Sequence, residues 1–156
     1  CKFSESIKTF SCAAVILAVS FPRRGLEMLQ RNAMNAYRQA EQDFLVEGSD
    51  GHGLVQLLFN ELLVAIEETS ISIELDDLAA RSASSSKALS ILYVLNSSLD
   101  FEKGGEVALS LEQLYGWSRR QLIEAIKENS RERLANVYSS IADIADAWAS
   151  IRDKVN

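Results

Sequence analysis

Few residues in this chain could do acid–base, metal or nucleophilic chemistry. The single histidine, His52, stands between Gly51 and Gly53. That setting predicts a loop at a helix entrance. A general base or a metal ligand there would need partners, and the spacing supplies none. Asp50 and Glu61 have the first-to-last separation of a calcium loop. The positions between them hold His52 and Leu54, however, and the position that must be glycine is Val55. Phosphotransfer on a helical bundle requires an exposed histidine within a helix, which a histidine between loop glycines does not provide. Cys1 and Cys12 are the only cysteines. They exclude a disulfide framework and a zinc site of paired cysteines, and they suit a reducing compartment. No glycine-rich phosphate loop, nucleophile elbow or helical metal motif is present. The carboxylates fall where helices would expose them, as solvated faces with i,i+4 pairs. Trp117 and Trp148 read as core or groove residues. Asn60 and Asn96 are polar positions on apolar helices, suited either to fixing register or to bonding a bound chain. The expectation is a protein that is not an enzyme and carries no cofactor and no metal.

What remains is the positioning framework, organised around residues 104–126. Gly104 and Gly105 end whatever precedes them. Val107, Leu111, Leu114, Ser118, Leu122 and Ala125 then recur in steps of three and four. That is a helix period with one stripe facing a core. Ala108, Tyr115 and Ile126 widen the stripe, so this helix must meet more than one neighbour.

The other segments are helical too. Residues 54–73 carry two adjacent stripes, Leu54, Leu58, Leu62, Ala65, Thr69 and Val55, Phe59, Ile66. A tight acidic connection at 74–77 leads to a second helix over about 76–99. Its predicted seam is Leu78, Ser82, Ser85, Leu89, Leu92, Asn96 and Leu99. Its first half is rich in serine and alanine, and its second half is apolar on most sides, more than one partner can cover. Residues 100–105 form the turn before the central helix. Asn129 and Ser130 punctuate the chain, with Ser130 a candidate N-cap. The last helix, to about residue 151, bears Leu134, Val137, Ile141, Ile144, Trp148 and Ile151 in alternating steps of three and four. Short loops force antiparallel neighbours. The fold class is therefore all-α, an antiparallel up-down-up-down four-helix bundle.

The N-terminal third differs. Lys2 and Lys8 precede an apolar run, 10–21, too short for a spanning helix, which needs about twenty residues. The outline is that of a secretory signal, yet Pro22, Arg23 and Arg24 follow at once. Because the chain begins at Cys1, a processed product or a fragment is one reading. Composition changes at Met34, which divides an extension, 1–33, from a functional domain, 34–156. Residues 34–53 are expected to form a mobile or loosely helical polar arm with anchors at Tyr37, Phe44, Leu45 and Val46, followed by a glycine-rich loop before the first helix.

The net charge of −6 and the pI near 4.9 argue against nucleic acid and against an anionic membrane surface as partners. No membrane insertion is expected.

From Met34 to Ile151 the chain resembles the FliS family of flagellin-specific export chaperones. Ala36-Tyr37 opens the arm. Leu54-Val55-Gln56-Leu57-Leu58-Phe59-Asn60 resembles the family's first-helix motif. Ala88 to Asp100, ending in Leu99-Asp100, resembles the end of its second helix. Gly104-Gly105 with Leu111, Leu114-Tyr115 and Leu122 resembles the third, and Ala147-Trp148 the closing motif. Gly51 and Gly53 replace the proline and carboxylate common before the family's first long helix.

The resemblance implies a cytoplasmic bundle that binds the disordered C-terminal segment of flagellin. It would prevent premature polymerisation and help deliver the subunit to the flagellar export gate. The expected groove joins Leu92, Leu95 and Leu99 of the second helix to Leu111, Tyr115 and Ile126 of the third. Asn60 and Asn96 would bond the client's backbone, and Tyr37 would fold over the groove when no client is present. Alone, such a protein is expected to be a monomer or weak dimer. The alternatives are a self-associating structural bundle and a phosphorelay-type bundle that depends on His52.

Overall fold

The computed structural model describes residues 51–155, and within them four helices run almost without pause. They are α1 (Gly51–Glu74), α2 (Leu78–Ser97), α3 (Phe101–Glu128) and α4 (Arg131–Val155). The extension 1–33 and residues 34–50 of the arm, Tyr37 among them, lie outside the described residues. Connections of two or three residues turn the chain back each time, so the helices are antiparallel. Each packs on both neighbours, α1 on α2, α2 on α3, α3 on α4 and α4 on α1. The α1–α2 contact is the most extensive and the α2–α3 contact the least.

Local chemistry sets the ends. Asp77 Oδ1 accepts from the Ala80 amide at 2.9 Å, and Asp100 Oδ1 from the Lys103 amide at 2.9 Å. Ser130 Oγ accepts from the Arg133 amide at 3.4 Å, the predicted cap. α1 stops because Asp76 takes a left-handed conformation, φ 53°, and the Asp77 amide reaches back to the Ser72 carbonyl at 2.9 Å. This is a Schellman-type ending. Asn129, also at φ 53°, ends α3 in the same way, with the Ser130 amide on the Ala125 carbonyl at 2.9 Å.

The seams of α1, α3 and α4 are buried residue for residue as their periods predict. Three expectations are corrected. Residues 51–53 are helical and not a loop, because His52 has a packing partner on α4 that holds the first turn. Residues 101–104 form a helical turn in place of the expected loop, and the break falls at Gly105 alone, φ 48°, ψ −125°. That conformation is open to glycine and strained for any other residue, even though a Cβ there would meet nothing within 4 Å. Lastly, α2 is rotated relative to its predicted seam. Its buried face is Ser84, Ser85, Ala88, Ile91, Leu92, Val94 and Leu95, while Leu78 is 67% exposed and Ser82 and Asn96 face solvent. A helix apolar on most sides does not choose its inner face by itself; its neighbours choose it.

Candidate functional site

Where α2 meets α3, the bundle surface holds a groove of about 160 Å³. α2 contributes Leu92, Tyr93 and Asn96, and α3 contributes Glu112, Tyr115, Gly116 and Arg119. The four α3 positions recur at i, i+3, i+4 and i+7, so one helix face lines the whole wall. Gly116 has no side chain to fill the space. A Cβ built there meets only the mobile end of Arg120, at 3.5 Å.

Tyr115 is the unusual member. It is only 2% exposed, and its hydroxyl has no hydrogen-bond partner. Burial pushes its phenol well above the usual value, so it remains a proton donor. A buried hydroxyl without a partner costs about 1–3 kcal/mol. Three residues on, Ser118 Oγ is also buried and unpaired. Tyr93 lies at the rim, 62% exposed.

The groove brings together Leu92, Asn96 and Tyr115 from the sequence-derived set. Leu95 and Leu111 are buried in the adjoining core, and Leu99 and Ile126 are half-buried against it. Asn60 stands elsewhere. It is exposed on α1, where its Oδ1 accepts from Gln56 Nε2 at 3.3 Å. The sequence reading missed Tyr93, Glu112, Gly116 and Arg119. Gly116, a glycine inside a strong helical period, is the signal that was available, because such a glycine often marks a close approach.

His52 belongs to the core, contrary to the loop placement. Its ring stacks on Trp148, with centroids 4.6 Å apart and planes within 9°. His52 Nε2 lies 2.8 Å from the Trp148 carbonyl and donates to it, and Trp148 Nε1 donates to the His52 carbonyl at 2.9 Å. A buried, stacked imidazole is not the exposed acceptor that a phosphorelay requires. Among the described residues no group of three or more His, Cys, Asp or Glu side chains could hold a metal ion. None of the described helices is long and apolar enough to cross a membrane.

The sequence matches the family described as "Flagellar protein FliS" over residues 33–155. Among curated relatives, the Salmonella typhimurium protein named flagellar secretion chaperone FliS is 31% identical over 130 residues, covering 83% of this chain and 96% of that protein. The Vibrio cholerae protein of the same name is 27% identical over 121 residues, 78% of this chain and 89% of its own length. A Pseudomonas aeruginosa protein, flagellar secretion chaperone FliSB, is 28% identical over 124 residues, 80% and 98%.

Proposed function

This chain belongs to the FliS family of flagellar proteins, and from that premise we propose that it is a secretion chaperone that binds the C-terminal segment of flagellin in the cytoplasm. The bound segment is withheld from polymerisation until it reaches the export gate. Such a role needs a surface that folds a disordered chain, and no catalytic group.

The observation that carries this reading is the α2–α3 groove with its unpaired Tyr115 hydroxyl. A disordered client that becomes helical leaves carbonyls free at its helix ends and turns. Tyr115 would donate to one of these, and the exposed Asn96 amide would serve another. Leu92, Leu95 and Leu111 would supply the apolar floor and adjoining core, and Leu99 and Ile126 would extend the apolar strip. The groove is short, whereas coupled folding and binding usually buries on the order of 1,000–3,000 Å². The client therefore has to run well beyond it. Asn60 on α1 would serve a stretch that wraps past α2, and Tyr37 would cover the strip when the client is absent.

The test is calorimetric titration of the full chain with a flagellin C-terminal peptide, read beside circular dichroism. One-to-one binding with a gain in helicity and a negative heat-capacity change is expected. Gly116→Leu should fold, because a side chain there enters the groove and not the core, and it should weaken binding at least tenfold. A folded wild-type protein that does not take up the peptide overturns the proposal. A stable dimer in light scattering would instead favour self-association.

A further inference from the structure

On the other flank of α2, toward its N-terminal end, lies a larger groove that the client reading does not use. It has a volume of about 470 Å³ and runs between α1 and α2. Its α1 wall is Glu68 and Ile71, continued by Leu75 just past the helix end, and its α2 floor includes Ala80, Ala83 and Ser84. Large aliphatic side chains stand open along it, Leu75 71% exposed and Ile71 47%, and Val64, 47% exposed, lies one turn before Glu68 on the same helix face. Single exposed leucines are ordinary, but a row of them beside a groove marks an interaction surface.

We propose that this α1–α2 groove docks a short amphipathic helix of another protein, one that carries Lys or Arg beside its apolar stripe. Val64, Glu68, Ile71 and Leu75 follow in steps of four, three and four, the seam that a heptad-patterned helix meets. The small side chains of α2 let a visiting backbone come close. From Val64 to Leu75 the seam is about 16 Å long, room for three helical turns.

Charge selects the partner. Glu68 and Asp77 line the groove. The only lysine lining it, Lys87, is already neutralised by Glu61 at 2.7 Å, and Glu74 nearby is held by Arg131 at 3.1 Å. Glu68 and Asp77 have no ion-pair partner among the described residues, so the groove is left negative. A second copy of this chain is a poor occupant, because a two-fold contact would set these carboxylates against their own equivalents. The contact is smaller than a standard interface, which suits a transient encounter.

The probes are two bridged helical peptides of about fourteen residues, long enough for three turns. Both have leucines at heptad spacing; one carries lysines beside the stripe and the other glutamates. Fluorescence anisotropy with the full chain should show one-to-one binding of the lysine peptide, weakening with salt. The glutamate peptide should bind at least tenfold more weakly. Glu68→Lys should reverse that preference, and Leu75→Ser should weaken the lysine peptide about tenfold. Both positions are exposed, so circular dichroism should not change. The proposal is overturned if neither peptide binds, if both bind alike, or if the substitutions have no effect. It is equally overturned if a wild-type dimer dissociates with Leu75→Ser, or if a flagellin C-terminal peptide displaces the lysine probe.

Discussion

The α1 side of the bundle and its α2–α3 side treat buried hydroxyl groups in opposite ways. Around α1 the buried hydroxyls are bonded, and the buried atoms left without a partner there are His52 Nδ1 and Gln56 Oε1. Thr69 Oγ1 shares its one proton between the Ala65 carbonyl at 2.7 Å and Ser84 Oγ on α2 at 2.9 Å. Ser84 in turn donates to the Ala80 carbonyl at 2.9 Å. Lys87 meets Glu61, and His52 and Trp148 exchange bonds across α1 and α4. Between α2 and α3 the packing is thinnest of the four neighbouring pairs, and on α3 the Tyr115 and Ser118 hydroxyls are buried without partners. Groups satisfied inside the fold contribute to stability, whereas groups left unsatisfied are available to a ligand. On this comparison the α1 side holds the bundle together and the α2–α3 side is held ready to bind.

The largest expected effect is on the α1 side. Trp148→Ala removes the ring stacked on His52, its Nε1 bond and its edge contact with Phe59. Denaturant unfolding should show a loss of about 4 kcal/mol. A smaller loss than that from any α2–α3 substitution would break the comparison. Thr69→Val should cost about 1–2 kcal/mol, since the buried bond to Ser84 disappears with little change in volume. It should leave flagellin-peptide affinity unchanged; a loss of affinity would mean that the two sides are not separable.

Tyr115→Phe should act in the reverse sense. Removing an unpaired buried hydroxyl should stabilise the free protein by about 1 kcal/mol, while peptide affinity falls several-fold. Loss of both stability and affinity would mark Tyr115 as an ordinary core residue. The same variant has a signature in pH. Because the folded phenol titrates above its ordinary value of 10.0, the unfolded chain releases that proton first. Stability should therefore be unaffected by this group below pH 10 and should fall above it, by about 1.4 kcal/mol per pH unit. Tyr115→Phe should flatten that part of the slope. The smallest effect belongs to Glu61→Gln. Its pair with Lys87 is partly exposed, with side chains 42% and 31% accessible, so the change should be about 0.5 kcal/mol or less.

How much could be read in advance varies from helix to helix. The stripes of α1, α3 and α4 were legible because each has one apolar face, and the Ser130 cap because it lies beside its helix in the chain; Asp77 and Asp100 were legible only as connection residues and not as caps. α2 was legible as a helix but not as an oriented one. The candidate groove was legible in part. Leu92, Asn96 and Tyr115 share it, whereas Asn60 is on another face of the bundle and Tyr93, Glu112 and Arg119 carry no local mark of their role.

Over residues 51–155 the sequence by itself determined helix identity, number and order, the three one-sided seams and the antiparallel turns. It could do so because the i, i+3 and i, i+4 spacing and the capping side chains act within a turn or two of their own position. Tertiary structure decided which face of α2 turns inward, since an all-round apolar helix takes its orientation from its neighbours. It decided that His52 is a packed lock on Trp148 across 96 positions of chain, a contact that no local spacing encodes. It also decided that the Tyr115 hydroxyl is buried without a partner, because a missing hydrogen bond depends on everything that surrounds an atom in space.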